Sequence, residues 1–255
     1  MDIRKMKRFI NAFLPFAVLL LFATPYISAE NWAFIFAGDN YDTEVDFQKD
    51  AQICIQAMKE IAPFSEFVDS FRYEFFLIED TICKVKKKDL IYPKLVCDTT
   101  INEYLRKYNY ARFKLVVLSN RVFISWSNID SVSPSAIFLS TRGKKEEEMK
   151  GEFMHELGHS FGLRDEYAPI PVREGSIAKT PGPNCAPSIE VAKTLWGDLV
   201  GQGNPVVGYY YGCAGNKKFV KPTQNSLMGT PGFYPGGYGL VSERYLRKIL
   251  SRTPK

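Results

Sequence analysis

Histidine is almost missing from this chain. Of 255 residues only His155 and His159 are histidines, so no metal centre built from three imidazoles of one chain can form. Cysteine is sparse, and its count of five is odd, so a fully paired disulfide framework is excluded within one molecule. No internal repeat and no low-complexity tract is present, which sets aside solenoids and linker-like proteins. A strong excess of charge is missing too. The formal charge is +5. Residues 1–29 hold Arg4, Lys5, Lys7 and Arg8 against Asp2, so without them the balance falls by three to +2. That leaves no electrostatic reason to expect a nucleic-acid partner.

A long apolar run is also lacking. The longest, "FINAFLPFAVLLLFA", is short for a membrane span and is interrupted by Pro15. Preceded by "MDIRKMKRF" and followed by "TPYISA", it has the order of a secretory signal peptide, with cleavage expected after Ala29. No cysteine stands at that cut to carry a lipid. The expectation is an exported protein, periplasmic or secreted, with no stable membrane span after cleavage. Export permits oxidation. Cys83 with Cys97, and Cys185 with Cys213, are the expected disulfides, and Cys54 in the helical "AQICIQAM" is expected to be a buried free thiol.

What is present points to a packed domain. Hydrophobic residues make up 45% and aromatics 14%, enough for a sizeable core and too much for disorder. "NWAFIFAGDNY", "FRYEFFLIE", "ARFKLVVLSN" and "AIFLSTR" read as strands, the last as a fourth or an edge strand, and "NRVFISWSNIDSVSPS" as a polar loop with room for a further short one. "EVDFQKDAQICIQAMKEIA", "CDTTINEYLRKYNY", "GKKEEEMKGEFMHELGHSFG" and "LVSERYLRKIL" read as helices. Strands alternating with helices predict an α/β fold with a mixed, mostly parallel sheet. Beyond Gly162 the composition turns to Gly, Pro, Asn and Tyr, so an ordered but irregular C-terminal subdomain is expected. The expected division is a signal peptide over 1–29, an upper subdomain over 30–162 and a lower one over 163–255.

The chemistry concentrates in "FMHELGHSFGLRDEY", residues 153–167. Histidines four apart on a helix project from one face, so both rings can converge on one ion. Glu156, beside the first, reaches a metal-bound water more readily than the metal, and suits a general base. This HExxH pattern is that of a zinc peptidase. The longer string, His155-Glu156-x-x-His159-x-x-Gly162-x-x-Asp165, follows the metzincin spacing with aspartate in place of the third histidine. Gly162 can take a left-handed turn and fold the chain back under the metal. Asp165 is then the expected third ligand. Its alternative role is to orient a histidine from behind, and Glu166 is its rival for the ion. "NSLMGT" offers Met228 for a methionine turn beneath the ion. Tyr167, Tyr234 and Tyr238 are the tyrosines that could polarise a substrate carbonyl.

The string "HELGHSFGLRDEY" resembles the signature of the IgA-peptidase family of zinc metallopeptidases. "AGDNYDTEVDFQKD", "IAPFSEFVDSFRYEFFLIED", "KLVVLSN", "NSLMG" and the last helix resemble further parts of that family, over about residues 31–250. The resemblance implies a secreted zinc endopeptidase of metzincin-like fold, one catalytic Zn2+, and His155, Glu156 and His159 in their usual roles. The run from the second histidine to Asp-Glu-Tyr is shorter here than is usual in the family, which bears on Asp165 against Glu166. A peptide or protein is the expected substrate, lying in a cleft between the subdomains and pairing with "AIFLSTR" as an added strand, and the protein is expected to be a monomer. The other readings are an exported metal-containing binding protein without turnover, and a surface protein with a chance HExxH.

Overall fold

The computed structural model describes residues 32–77, 83–86, 94–97, 112–127, 135–167 and 180–252. The expected signal peptide and, beyond Cys97, the helix expected over "CDTTINEYLRKYNY" lie outside the described residues.

The first strand, β1 (Ala33–Asp39), is buried along its whole length. That is the signature of a central strand covered on both faces. Its neighbours are β2 (Arg72–Leu77) on one side and β5 (Phe113–Ser119) on the other, both parallel to it. A small antiparallel pair stands apart, β3 (Cys83–Lys86) with β4 (Lys94–Cys97). The main sheet continues through β7 (Ser135–Ser140), parallel to β5, and closes on β6 (Trp126–Ser127), antiparallel to β7. Its order is β2-β1-β5-β7-β6. The mixed, mostly parallel α/β sheet expected from the sequence is therefore present.

Two helices cover one face of the sheet. In α1 (Glu44–Glu60), Thr43 caps the first turn by accepting from the Asp46 amide. Phe47, Ala51, Cys54 and Met58 then recur at helical spacing on its buried side. They meet Phe34, Phe36, Val116, Leu118, Ile137 and Leu139 from the sheet. The alternate strand residues, Ile35, Ala37, Leu115, Val117 and Phe138, form a cluster of their own, as a two-residue period requires. The second helix, α2 (Glu146–Ser160), carries the HExxH string and adds Met149, Phe153, Met154 and Leu157 to the core.

"AIFLSTR", expected as a fourth or an edge strand, is an internal strand: β5 runs along one side of β7, and β6 pairs with Ile137 and Phe138 on the other. The two-residue β6 is the edge beside it. It falls within the polar loop in which a further short strand was expected.

The segment beyond Gly162 holds more regular structure than its composition suggests. It contains α3 (Ile189–Trp196), capped by Ser188, and a hairpin of β8 (Tyr210–Cys213) with β9 (Asn216–Lys221). Ala192, Trp196, Val207, Val220 and Val241 make a small core around them. The last helix, α4 (Leu240–Leu250), follows Gly239. Among the described residues no helix is long and apolar enough to cross a membrane.

Cys185 and Cys213 are joined by a disulfide, as expected, and Cys54 is a buried free thiol. Cys83 and Cys97 face one another in the backbone register of β3 and β4; their side chains lie outside the described residues.

Candidate metal centre

The end of α2 builds the site. Phe161 caps the helix and Gly162 follows with φ of +97°, a conformation that a Cβ would strain. The Gly162 amide donates to the His159 carbonyl at 2.8 Å and the Leu163 amide to the Gly158 carbonyl at 3.1 Å. This pair of bonds is a Schellman motif. It reverses the chain, so that residues 163–167 run back beneath the helix.

The reversal fixes both imidazoles. His159 Nδ1 lies 2.9 Å from the Leu163 carbonyl oxygen. His155 Nδ1 lies 2.7 Å from the Leu227 carbonyl oxygen, next to Met228. A carbonyl only accepts, so each Nδ1 carries a proton, and in the neutral ring each Nε2 presents a lone pair. Both Nε2 atoms point at Asp165 Oδ1, at 3.2 Å from His155 and 3.1 Å from His159.

These positions fit a zinc ion. Ligand atoms about 2.0–2.1 Å from a tetrahedral zinc lie about 3.3 Å from one another, close to the separations seen. The ligand atoms of His155, His159 and Asp165 all fall within 4.8 Å of one another. The electrostatics agree. Burial disfavours a charged imidazole at His159, but the Asp165 carboxylate more than reverses this and raises its pKa to about 9. Burial opposes ionisation of Asp165, and the two histidines overcome it and hold its carboxyl well below the usual range. The centre thus favours a positive charge among the three side chains.

Glu156 is buried beside them, and its Oε2 has no hydrogen-bond partner among the described residues. Burial raises its pKa; His159, His155 and Ser127 hold the rise back. A buried carboxylate oxygen without a partner is costly, and such an atom on the wall of a cleft is placed to receive a proton or a water. The cleft has a volume of about 540 Å³ and reaches both histidines, Glu156, Asp165 and Tyr167. Phe123, Ile124, Trp126 and Pro231 give it apolar walls, and Lys144 and Glu152 pair at its side.

Asp165 and its rival are separated by geometry. Successive residues of an extended chain point to opposite sides. Asp165 faces the histidines, while Glu166 faces away and is 1% exposed. Its carboxylate accepts from Asn184, Thr223 and Ser226, so no coordinating oxygen is directed at the histidines. Met228 is wholly buried within a turn in which the Gly229 and Thr230 amides donate to the Ser226 carbonyl. A Cβ on Gly158 would come within 2.5 Å of the Met228 sulfur, so this residue does lie directly under the HExxH helix.

Of the tyrosines, only Tyr167 lines the cleft. Burial raises its pKa, and Asp165, to which it hydrogen-bonds, adds to the rise. Tyr234 and Tyr238 do not line the cleft. The Tyr238 hydroxyl is buried and donates to the Met154 carbonyl, and that of Tyr234 donates to Glu60. Sequence reading missed Ser127, whose hydroxyl donates to the Glu156 carbonyl at 2.8 Å, and the two carbonyls that orient the histidines. Any residue type can supply a carbonyl, so the latter left no signal.

No protein-family model matches this chain, and neither does any curated protein. Among solved structures, the chain is similar to an archaemetzincin from Methanopyrus kandleri, at 13% identity and a TM-score of 0.33, over 56% of this chain and 78% of that one. A likeness of that size carries no functional argument, and the functional reading rests on the site itself.

Proposed function

We propose that this protein is an exported zinc-dependent endopeptidase of metzincin-like architecture, similar in its zinc string to the IgA-peptidase family. One observation carries the reading: His155, His159 and Asp165 converge on one point, and the unpartnered carboxylate oxygen of Glu156 lies beside it in an open cleft. His155, His159 and Asp165 would hold the ion. Zinc, when bound, polarises a carbonyl and makes water acidic enough to attack near neutral pH.

The side chains supply the rest. Glu156 takes the proton of the attacking water and delivers it to the leaving amine. Burial favours its protonated form, which suits the second half of that task. The Tyr167 hydroxyl, on the cleft wall, stabilises the oxygen on which charge develops. A peptide lies along β6, the edge of the sheet, and adds to it as a strand. Residues 30–162 then form the upper wall of the cleft and 163–255 the lower, after loss of a signal peptide over 1–29. The Cys185–Cys213 disulfide is compatible with export. The protein acts as a monomer.

The test compares zinc-loaded wild type with Glu156→Gln on casein and a peptide library. Chelator-sensitive cleavage is expected, with equal zinc content in both proteins and turnover lower by roughly 10²–10⁴ in the variant. Equal behaviour of the two on every substrate would overturn the peptidase reading and leave a metal-holding binding protein.

A further inference from the structure

We propose that Glu166 is a positioning residue for the metal centre: its buried carboxylate locks together the separate segments that set Asp165 and His155 in place. The inference rests on the reading of His155, His159 and Asp165 as metal ligands, and assigns to Glu166 neither coordination nor contact with substrate.

The bonds around this one residue reach Asn184 on one side and the segment from Lys221 to Met228 on the other. Asn184 Nδ2 donates to Glu166 Oε1 at 3.0 Å. Thr223 Oγ1 and Ser226 Oγ donate to Oε2 at 3.0 and 2.8 Å. The Glu166 amide donates to the Met228 carbonyl at 2.7 Å, and Lys221 Nζ donates to the Glu166 carbonyl at 2.6 Å. Asn184 also spans Arg164, accepting from its amide and donating to its carbonyl, each at 2.8 Å. The Ala214 amide donates to the Asp165 carbonyl at 2.7 Å. The ligand-bearing stretch is therefore gripped on both sides.

Two consequences follow for the ligands. Asp165 precedes Glu166, so rotation of the Glu166 peptide would swing the aspartate away from the imidazoles. The grip on Ser226 and Met228 brackets Leu227, whose carbonyl orients His155. Loss of the Glu166 carboxylate would thus loosen two ligands from opposite sides. It would also leave the buried donors of Asn184, Thr223 and Ser226 without their acceptor. Outer partners that orient metal ligands typically change metal affinity by about 10–100-fold when removed. Glutamine keeps the shape, accepts from Asn184 through its oxygen, and offers an amide to hydroxyls that can rotate to accept.

The experiment loads full-length protein with zinc and follows its release to a chromophoric chelator, alongside circular dichroism and thermal melts of the zinc-free forms. For Glu166→Ala we expect at least tenfold faster zinc release from protein that is still folded, with Glu166→Gln within about threefold of wild type. Thr223→Val, which removes one bond and keeps the side-chain shape, is expected to fall between them, and serves as the deciding variant if Glu166→Ala does not fold. Wild-type zinc release from folded Glu166→Ala or Thr223→Val, with only the zinc-free melting temperature lowered, would mean a purely structural role and would overturn the proposal. Wild-type protein that holds no zinc would instead overturn the ligand reading, and this inference with it.

Discussion

Gly158→Ala sets two effects of opposite sign against each other. Gly158 lies within α2, between Leu157 and His159. In an exposed helix, alanine in place of glycine stabilises by about 1 kcal/mol. Here an added Cβ would lie 2.5 Å from the Met228 sulfur, 2.9 Å from Tyr238 Cε1 and 3.4 Å from Leu163 Cδ1. Ordinary contacts need about 3.5–4.0 Å, so Met228 must retreat by roughly 1 Å. Met228, Tyr238 and Leu163 are all fully buried, and the Tyr238 hydroxyl is tied to the Met154 carbonyl, so the neighbours have little room to give. Overpacking of this kind costs about 1–3 kcal/mol, which offsets or outweighs the gain in helix propensity. The expected net loss is up to about 2 kcal/mol, a fall in melting temperature of up to roughly 8 °C. The larger effect falls on zinc. Moving Met228 disturbs Leu227, whose carbonyl is 2.7 Å from His155 Nδ1, so affinity should drop by about tenfold or more. Thermal melts with and without zinc, joined to competitive zinc titration, measure both effects. A variant that melts at or above wild type with unchanged zinc affinity would refute the idea of a rigid methionine floor pressed against the helix.

Asp165→Ala is expected to lose most bound zinc from folded protein, measured by elemental analysis after dialysis; full retention would remove it from the ligand set. Replacing Cys185 and Cys213 by serine opens a link between residues 28 apart in sequence, so a stability loss of about 3–4 kcal/mol is expected. Zinc should be released faster as well, because Asn184 and Ala214, adjoining the two cysteines, grip Arg164 and Asp165; denaturant titration and chelator kinetics check the two effects. The zinc-free protein should show a pH window. The raised pKa of His159, about 9 against an ordinary 6.5, gives stability that is full below 6.5 and lost as pH rises through about 9. The lowered pKa of Asp165 gives stability present above its ordinary 3.8 and lost as pH falls towards its folded value. Zinc requires the neutral imidazole, so its affinity should climb roughly tenfold per pH unit up to about pH 9. Melts across pH 2–10 and zinc titrations across pH 4–10 test both trends, and a flat zinc profile would refute the second.

Much of the fold was legible because its causes are local. Apolar runs marked β1 and β5 as strands, helical spacing marked α1, and glycine at 162 announced the turn that ends the HExxH helix. The spacing of His155 and His159 named the two imidazoles that converge, and the count from Gly162 brought a carboxylate beside them. Local pattern could not place β7 inside the sheet, because a strand's neighbours are set by segments far away in sequence. Nor could it resolve Asp165 from Glu166, two adjacent carboxylates of equal chemical competence. The fold separates them through residues distant in the chain: Asn184, Thr223 and Ser226 engage one carboxylate, leaving the other to face the imidazoles. The same holds for the tyrosines, whose sequence settings do not distinguish them but whose hydroxyls meet different neighbours. Sequence spacing determines which groups share a helix face or follow a turn. The packing of remote segments determines which of them point into the cleft.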